Sequence, residues 1–302
     1  MAFIEIVKKT NIDFIGLRKK AFILSFVLVG LGLLAFVMVL LGRANESVDF
    51  TGGTALHVRF SAHVPIHDLR IALLQGGISD VEIQEVTGTR DFIIKTKLSD
   101  TGQEKIQDKV SKIFSASFKD NKFEILSANM VGPSVGKELK KDAVIAIILA
   151  MLCIVAYIWW RFTFTFGVAA TIATFHDVLT MLGIFYLLNL EMNILFITAL
   201  LTIAGYSLTD TVVVFDRIRE NMGKMRSRDE LGGVINKSIN EVLSRTLITS
   251  LTVLLVLAAL LALGGEVLFE FSLALFIGVL VGTYSSIFVA SPLVYIWRKR
   301  AA

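Results

Sequence analysis

Six long apolar segments constrain the fold of this 302-residue chain more than any other feature of its sequence. A helix needs about 20 apolar residues to cross the hydrocarbon of a bilayer, because each residue adds about 1.5 Å of length. The segments that reach or approach this length are 21–41, 143–160, 162–188, 192–215, 247–263 and 271–297. They predict an α-helical membrane protein with six transmembrane helices, and 55% of all residues are hydrophobic.

The first apolar segment is predicted to remain in the protein as a transmembrane helix. It is longer than the core of a signal peptide, and no small-residue cleavage pattern follows it. We therefore divide the chain into an N-terminal segment at 1–20, helix 1 at 21–41, a polar domain at 42–136, a five-helix bundle at 137–297 and a C-terminal segment at 298–302.

Lysine and arginine near the helix ends predict which side of the membrane each end faces, because they are enriched in cytoplasmic loops. One set of ends is basic: Lys8, Lys9, Arg18, Lys19, Lys20, Arg161, Arg217, Arg219, Lys224, Arg226, Arg228, Arg298, Lys299 and Arg300. The loops at the opposite ends are acidic: Glu191, Glu266 and Glu270. Both termini and a loop at 216–240 are therefore predicted to be cytoplasmic, with the 42–136 domain on the outer side. Three lysines before helix 2 oppose this rule, but they follow a long translocated domain, where the rule has little force.

The polar domain at 42–136 has the pattern of a small α+β fold. Leu56, Val58 and Phe60 alternate with His57 and Arg59, which is typical of a half-buried strand. The predicted elements that follow are a helix at 66–75, strands at 81–86 and 92–98, a helix with an apolar stripe at 106–114 and a strand at 123–126. The order βαββαβ is the ferredoxin-like pattern.

The sequence carries no motif for nucleotide hydrolysis or for metal binding. Its nearest approach to a phosphate-binding loop, at 132–138, is one residue too short and has Glu138 where Ser or Thr is needed. Its one cysteine, Cys153, lies in an apolar segment without metal-ligand neighbours. The net charge of +4 comes from basic clusters beside apolar segments, which suit a lipid surface better than nucleic acid. We therefore expect no cofactor, no nucleotide and no nucleic-acid partner.

Asp210 is the strongest functional signal, because a charge at the centre of a bilayer costs roughly 2.5–3.5 kcal/mol on insertion scales. It lies in helix 4, about 9 Å along the helix from Asp216. Asp216 and Arg217 are predicted at the cytoplasmic end, where they can reach water. A carboxylate that is hard to hydrate suits a site that takes up and releases a proton. The alternative is a structural hydrogen bond or ion pair that holds the bundle together.

Helix 5 offers Asp210 a partner in Arg245. Arg245, Thr249 and Thr252 are spaced i, i+4 and i+7 and so lie on one helix face, with Arg245 at a depth similar to that of Asp210. A guanidinium there can hold the carboxylate ionised. The alternative is an arginine that extends toward the lipid headgroups.

Helices 3 and 6 carry two weaker signals. His176 and Asp177 lie near the middle of helix 3, with threonines three residues on either side of Asp177. A packing hydrogen bond and a proton relay explain this stripe equally well. Gly278 and Gly282 in helix 6 form a G-x-x-x-G motif, which permits close contact between helices.

Four stretches match the motifs of a known family. They are VDFTGGT at 48–54, FHD at 175–177, GYSLTDTVVVFDRIREN at 205–221 and SRTLITS at 244–250. The first resembles the motif that opens the outer domain of SecD and SecF proteins, and the other three resemble SecF signatures. SecF commonly has Asn at the position of Thr209. The resemblance covers essentially the whole chain, which at this length matches only the SecF half of fused SecDF chains.

The resemblance implies a function in bacterial protein export and not an enzymatic activity. SecF-like proteins pair with SecD in a twelve-helix unit of the resistance-nodulation-division superfamily, in the inner membrane. That unit associates with the SecYEG channel and uses proton flow to draw unfolded exported polypeptides outward, toward the periplasm. The residues that match the proton path are Asp210, Arg245 and Thr249, and Asp177 is added from helix 3. The matching outer-domain residues, expected in the moving part of the assembly, are Asp49, Phe50, Thr51, Gly52, Gly53 and Thr54.

Two other functions remain open from the sequence. A proton-coupled small-molecule transporter of the same superfamily would have similar helices, although one βαββαβ domain is too small for a substrate-binding porter. A passive membrane scaffold would use the membrane carboxylates only for structure. Proton-dependent activity separates export from the scaffold, and copurification with SecD and SecY separates it from the transporter.

Overall fold

The computed structural model describes residues 10–78, 81–86, 89–96, 106–225 and 231–300. The chain forms two compact units, one of residues 1–45 and 146–302 and the other of residues 46–145. Several residues used above lie outside the described residues, either entirely or in their side chains: Lys8, Lys9, Leu98, Arg226, Arg228, Glu266 and Arg300.

Six helical segments in the described part of the chain are long and apolar enough to cross a membrane, which confirms the predicted number. Their bounds are α1 Phe14–Leu40, α5 Pro133–Arg161, α6 Phe164–Leu187, α7 Ile194–Met222, α8 Leu231–Leu263 and a last segment of three parts. That segment consists of α9 Gly265–Ser285, a π-helical turn Ser286–Ala290 and α10 Ser291–Arg300.

The helices extend further than the apolar segments that predicted them. α1 begins at Phe14 and not at residue 21, and α8 begins at Leu231 and not at residue 247. The expected loop at 216–240 is correspondingly wrong in extent, because α7 continues to Met222 and α8 occupies the rest from Leu231. Amphipathic helix ends carry charges, so hydropathy alone places the boundary too far inside the helix.

The start of α1 is fixed by side chains of α8. Asp13 caps α1 by accepting a hydrogen bond from the Gly16 N–H at 2.8 Å, and that N–H holds the pKa of Asp13 below its usual range. Asn236 Nδ2 donates to Asp13 at 2.7 Å, and the Asn240 side chain accepts from the Ile12 N–H at 3.0 Å. The N-terminal ends of α1 and α8 therefore lie together.

The opposite helix ends are also joined. The Met192 N–H donates to the carbonyl of Asn45 at 2.8 Å. Glu270 Oε2 accepts from Asn193 Nδ2 at 3.1 Å. The loops that precede α7 and α9 thus lie at the same end of the bundle as the end of α1, as an alternating six-helix arrangement requires.

Helices α1 and α6 cross in close backbone contact at a pair of glycines. A Cβ on Gly183 would lie 2.7 Å from the backbone N of Gly32, and a Cβ on Gly32 would collide with the Leu179 carbonyl. Only glycine permits this approach, which is a common means of packing helices in membranes.

The second unit contains an antiparallel four-stranded sheet in the order β2-β3-β1-β4. Its elements are α2 Val48–Thr51, β1 Gly53–Phe60, α3 Ile66–Gln75, β2 Val81–Glu85, β3 Asp91–Thr96, α4 Ile106–Ser117 and β4 Phe123–Val131. The predicted ferredoxin-like βαββαβ order is confirmed, with the short α2 as an unpredicted addition before β1. The apolar core lies between the sheet and α3 and α4, with Phe60 in contact with the rings of Phe92 and Phe114.

Arg59 of β1 and Asp91 of β3 form an ion pair on the sheet of this unit. Arg59 donates two hydrogen bonds of 2.7 Å to Asp91, which is 2% exposed, and this pairing holds the pKa of Asp91 below its usual range. His57 lies 3.4 Å from the same carboxylate. Local sequence does not predict this contact of His57, because Asp91 lies 34 residues further along the chain.

Candidate functional site

Asp210 lies in the middle of α7 and is 7% exposed within the chain. Its carboxylate is 3.5 Å from the Ser250 hydroxyl of α8, and Ser250 in turn shares a hydrogen bond of 2.6 Å with Thr283 of α9. Three helices therefore meet at this carboxylate. Its surroundings offer hydroxyl groups that can either donate or accept hydrogen bonds, as a residue that changes protonation requires.

Arg245 and Thr249 are both exposed on α8 within this chain. Their spacing predicted a shared helix face, but it did not predict that this face is exposed. In the described part of the chain no ion pair within 4.0 Å joins Arg245 to Asp210, whose hydrogen-bond partner is Ser250. The Thr249 hydroxyl donates to the Arg245 and Thr246 carbonyls of its own helix. The hydroxyl that reaches Asp210 thus belongs to Ser250, the neighbour of the predicted Thr249.

Asp177 is the centre of a second polar cluster, fully buried at the middle of α6. His176 Nδ1 is 2.9 Å from its Oδ1, and Ser285 of α9 donates to its Oδ2 at 2.8 Å. The Ser207 hydroxyl of α7 donates to the same Oδ2. Because Ser207 and Asp210 are three residues apart on one face of α7, the two carboxylates belong to one polar region.

The π-helical turn lies beside this region. Ser285, which donates a hydrogen bond to Asp177, is the last residue of α9. Ser286 begins the π-helical turn, and its hydroxyl shares a hydrogen bond of 3.0 Å with Thr211 of α7. The extra residue of a π-turn places both serine hydroxyls toward α7 and α6, and such turns are frequent at functional sites.

Close packing of α9 against α7 makes these contacts possible. A Cβ on Gly282 would lie 2.9 Å from the Cβ of Ser207, and a Cβ on Gly278 would lie 2.5 Å from Ile203 Cγ1. The predicted G-x-x-x-G motif therefore brings α9 against the face of α7 that carries Ser207 and Asp210.

Asp216 and Arg217 lie near the end of α7 in a partly exposed charge network. Asp216 accepts a hydrogen bond of 2.8 Å from Arg161 at the end of α5, and Arg217 donates to Glu241 of α8 at 2.7 Å. They tie α7 to its neighbours and lie apart from the buried cluster around Asp210.

The outer-domain motif forms α2 and the start of β1, within the second unit. Gly52 and Gly53 have positive φ values of 74° and 144°, which favour glycine. A Cβ on Gly52 would lie 2.7 Å from the Cα of Pro133, and one on Gly136 would lie 3.0 Å from the Gly52 nitrogen. The motif therefore packs directly on the first turn of α5. Its other residues are half-buried Asp49, buried Phe50 and Thr54, and exposed Thr51, whose hydroxyl donates to the Ser47 carbonyl at 3.1 Å.

Sequence reasoning missed the residues that complete the buried cluster: Ser207, Ser250, Thr283, Ser285 and Ser286. Hydroxyl residues are common in membrane helices, so their presence is a weak signal. The usable signal was the group of three serines at 285, 286 and 291 within an otherwise apolar segment.

Comparison with known proteins identifies the family. The model of the protein export membrane proteins SecD and SecF, C-terminal region, matches residues 109–300. The chain belongs to the SecD/SecF family. SecF of Thermodesulfovibrio yellowstonii is 50% identical over 99% of this chain and 98% of its own length. SecF of Desulfurispirillum indicum is 41% identical over 96% of this chain.

A solved structure has the same fold. The crystal structure of SecDF from Thermus thermophilus is similar with a TM-score of 0.84 and 40% identity, covering 99% of this chain and 40% of SecDF. The SecD/SecF relatives that span the whole chain are SecF protein translocase subunits, and the chain has the function of such a subunit in the Sec machinery. It is a multi-pass protein of the bacterial inner membrane.

Proposed function

We propose that this chain pairs with a SecD subunit and couples the proton gradient to the movement of exported polypeptides through the SecYEG channel. The observation that supports the proposal most is the buried carboxylate of Asp210, whose hydrogen-bond partner among the described residues is the hydroxyl of Ser250, with no cation within 4.0 Å. A charge fixed for structure would be expected to have a close ionic partner at this depth.

Proton coupling is assigned to four residues, with Asp210 as the group that binds the proton. Arg245, on the exposed face of α8, is the proposed cationic partner of Asp210, and the Ser250 hydroxyl connects Asp210 to Thr283 of α9. Asp177 is connected to the helix of Asp210 by the hydrogen bond from Ser207. The Thr249 hydroxyl donates a hydrogen bond to the backbone carbonyl of Arg245 on the same helix. Its proposed contribution is therefore to hold the backbone of α8 in place beside Arg245.

A SecD partner is supported by the fused relative. SecDF of Thermus thermophilus is 43% identical over 85% of this chain, and the match covers 35% of SecDF. A second subunit would cover the face of α8 that exposes Arg245, Leu251 and Leu255. Small-molecule transport has no comparable support, because the relatives are translocase subunits.

The test of this function is reconstitution. Vesicles that contain SecYEG, its motor ATPase and the SecD partner are prepared with and without this chain. We expect a proton gradient to accelerate release of a translocating polypeptide only when this chain is present. Equal release in both preparations, at equal SecYEG content, would contradict the proposal.

The orientation in the membrane is a further proposal, with both termini and the α7–α8 connection in the cytoplasm and the sheet unit in the periplasm. Basic residues lie at the end of the bundle where Asp13 meets Asn236 and where Arg161 meets Asp216. In a Cys153→Ser background, Ser61→Cys and Lys224→Cys are expected to react with an impermeant thiol reagent from opposite sides. Ser227, another position on the same connection, lies outside the described residues. Labelling of both cysteines from the same side would exclude this orientation.

A further inference from the structure

We propose that His176 and Asp177 form a second ionisable pair, which holds one shared proton and, through Ser207, sets how readily Asp210 binds its own proton. The pair thereby acts as a positioning and tuning element, and the proton that drives export passes through Asp210. This inference rests on the proposed role of Asp210.

The geometry of the pair supports proton sharing. His176 is 4% exposed and Asp177 is 0% exposed, and the distance between Nδ1 and Oδ1 is 2.9 Å. The second imidazole nitrogen, Nε2, is buried and has no hydrogen-bond partner among the described residues. An imidazole with one nitrogen committed to a carboxylate and the other unpartnered can release its proton only toward that carboxylate.

Two hydroxyl groups that donate hydrogen bonds to Asp177 connect the His176–Asp177 pair to α7 and α9. Ser207 of α7 and Ser285 of α9 both donate to Oδ2, so the charge on Asp177 decides how strongly each hydroxyl is held. Asp210 follows Ser207 by three residues, a rise of about 4.5 Å along α7. An ionised Asp177 therefore repels an ionised Asp210 and favours its protonated form.

Few other ionisable groups face the pair. The ring of Tyr284 of α9 is tilted relative to that of His176, with 6.2 Å between the ring centroids, and the Tyr284 hydroxyl lies 3.0 Å from that of Ser25 of α1. From α10, Arg298 lies over the ring of Phe166, ten residues before His176 on α6. Arg18 of α1 lies over Tyr295, also of α10. On α7, Tyr206 and Asp210 flank Ser207, which donates to Asp177, and Arg245 lies on the exposed face of α8. Asp210 is the carboxylate that this helix carries beside the pair.

The proposal predicts that the negative charge on Asp177 governs the titration of Asp210. Asp177→Asn removes this charge, so Asp210 should lose its proton at a pH lower by on the order of one unit. His176→Leu removes the hydrogen-bond donor that keeps the buried Asp177 ionised, so Asp177 should become neutral and the midpoint of Asp210 should fall as it does in Asp177→Asn. His176→Gln keeps a donor to Asp177 and should leave the midpoint at the wild-type pH. A merely structural role of the pair would not separate His176→Leu from His176→Gln in this titration.

The measurement is infrared titration of the full-length protein in lipid vesicles. The carboxyl band of Asp210 is identified by its loss in Asp210→Asn and is then followed against pH in each variant. Thr180→Val is the control, because its hydroxyl is buried on the same helix and has no hydrogen-bond partner in the described structure. Its midpoint should equal that of the wild type.

An unchanged midpoint in Asp177→Asn, or equal midpoints in His176→Leu and His176→Gln, would overturn the proposal. If Asp177→Asn does not fold, the difference between the two His176 variants decides alone, and its absence overturns the proposal. Because this measurement needs no export assay, a failure of proton-driven export would be recognised separately from a failure of the pair.

Discussion

Replacement of Asp210 by asparagine is expected to leave the protein assembled and to abolish the response of translocation to a proton gradient. Asparagine keeps the shape of the side chain and can still contact Ser250, but it cannot change charge. If the carboxylate served only to hold α7, α8 and α9 together, asparagine should be tolerated, because a neutral amide costs less to bury than an ion.

The measurement for Asp210 is polypeptide release from vesicles with and without a gradient, at matched protein levels. Arg245→Lys should reduce the response less than Arg245→Met, since lysine keeps the charge but loses the planar fork. Asp216→Asn is the matched control, because Asp216 lies on the same helix outside the buried cluster, paired with Arg161. A gradient-responsive Asp210→Asn protein would exclude the coupling mechanism and leave a scaffold function.

Gly282→Leu is expected to cause the second large effect, a loss of both stability and gradient response. The first side-chain carbon alone would lie 2.9 Å from the Cβ of Ser207, and the rest of leucine would have to displace α9 from α7. Overpacking of this kind typically costs about 1–3 kcal/mol. The displacement would also separate Ser285 from Asp177 and Ser286 from Thr211. The hydrogen bonds of the buried cluster around Asp177 and Asp210 should therefore be lost together with the helix packing.

Gly233→Leu is the matched control for the Gly282 substitution. Gly233 lies near the start of α8, is exposed, and has no atom within 4 Å of the position that a Cβ would occupy. Thermal unfolding in detergent and gradient-driven release are measured for both variants. If Gly282→Leu unfolds at the wild-type temperature, the close contact between α9 and α7 does not contribute to stability as argued.

Hydropathy predicted the six helices because the bilayer imposes a fixed apolar length that can be read from composition alone. The alternation of apolar and polar residues around Leu56 and the apolar stripe that ends at Phe114 predicted the βαββαβ order, because the periodicity of a strand or a helix is a local property of the sequence. Helix ends were less predictable. The first turns of α8, from Leu231, are amphipathic and stabilised by contacts such as that of Asn236 with Asp13, a residue 223 positions away.

The sequence by itself determined that the carboxylates of Asp177 and Asp210 lie within membrane segments and that Arg245, Thr249 and Thr252 share one face of α8. Only the tertiary structure decided which hydroxyl reaches which carboxylate. Neighbouring residues on a helix differ by about 100° in direction, so the rotation and crossing of α8 select Ser250 over Thr249. The serines of α9 reach Asp177 and Thr211 because a π-turn and the absence of a side chain at Gly282 bring α9 close, and neither follows from local sequence preference.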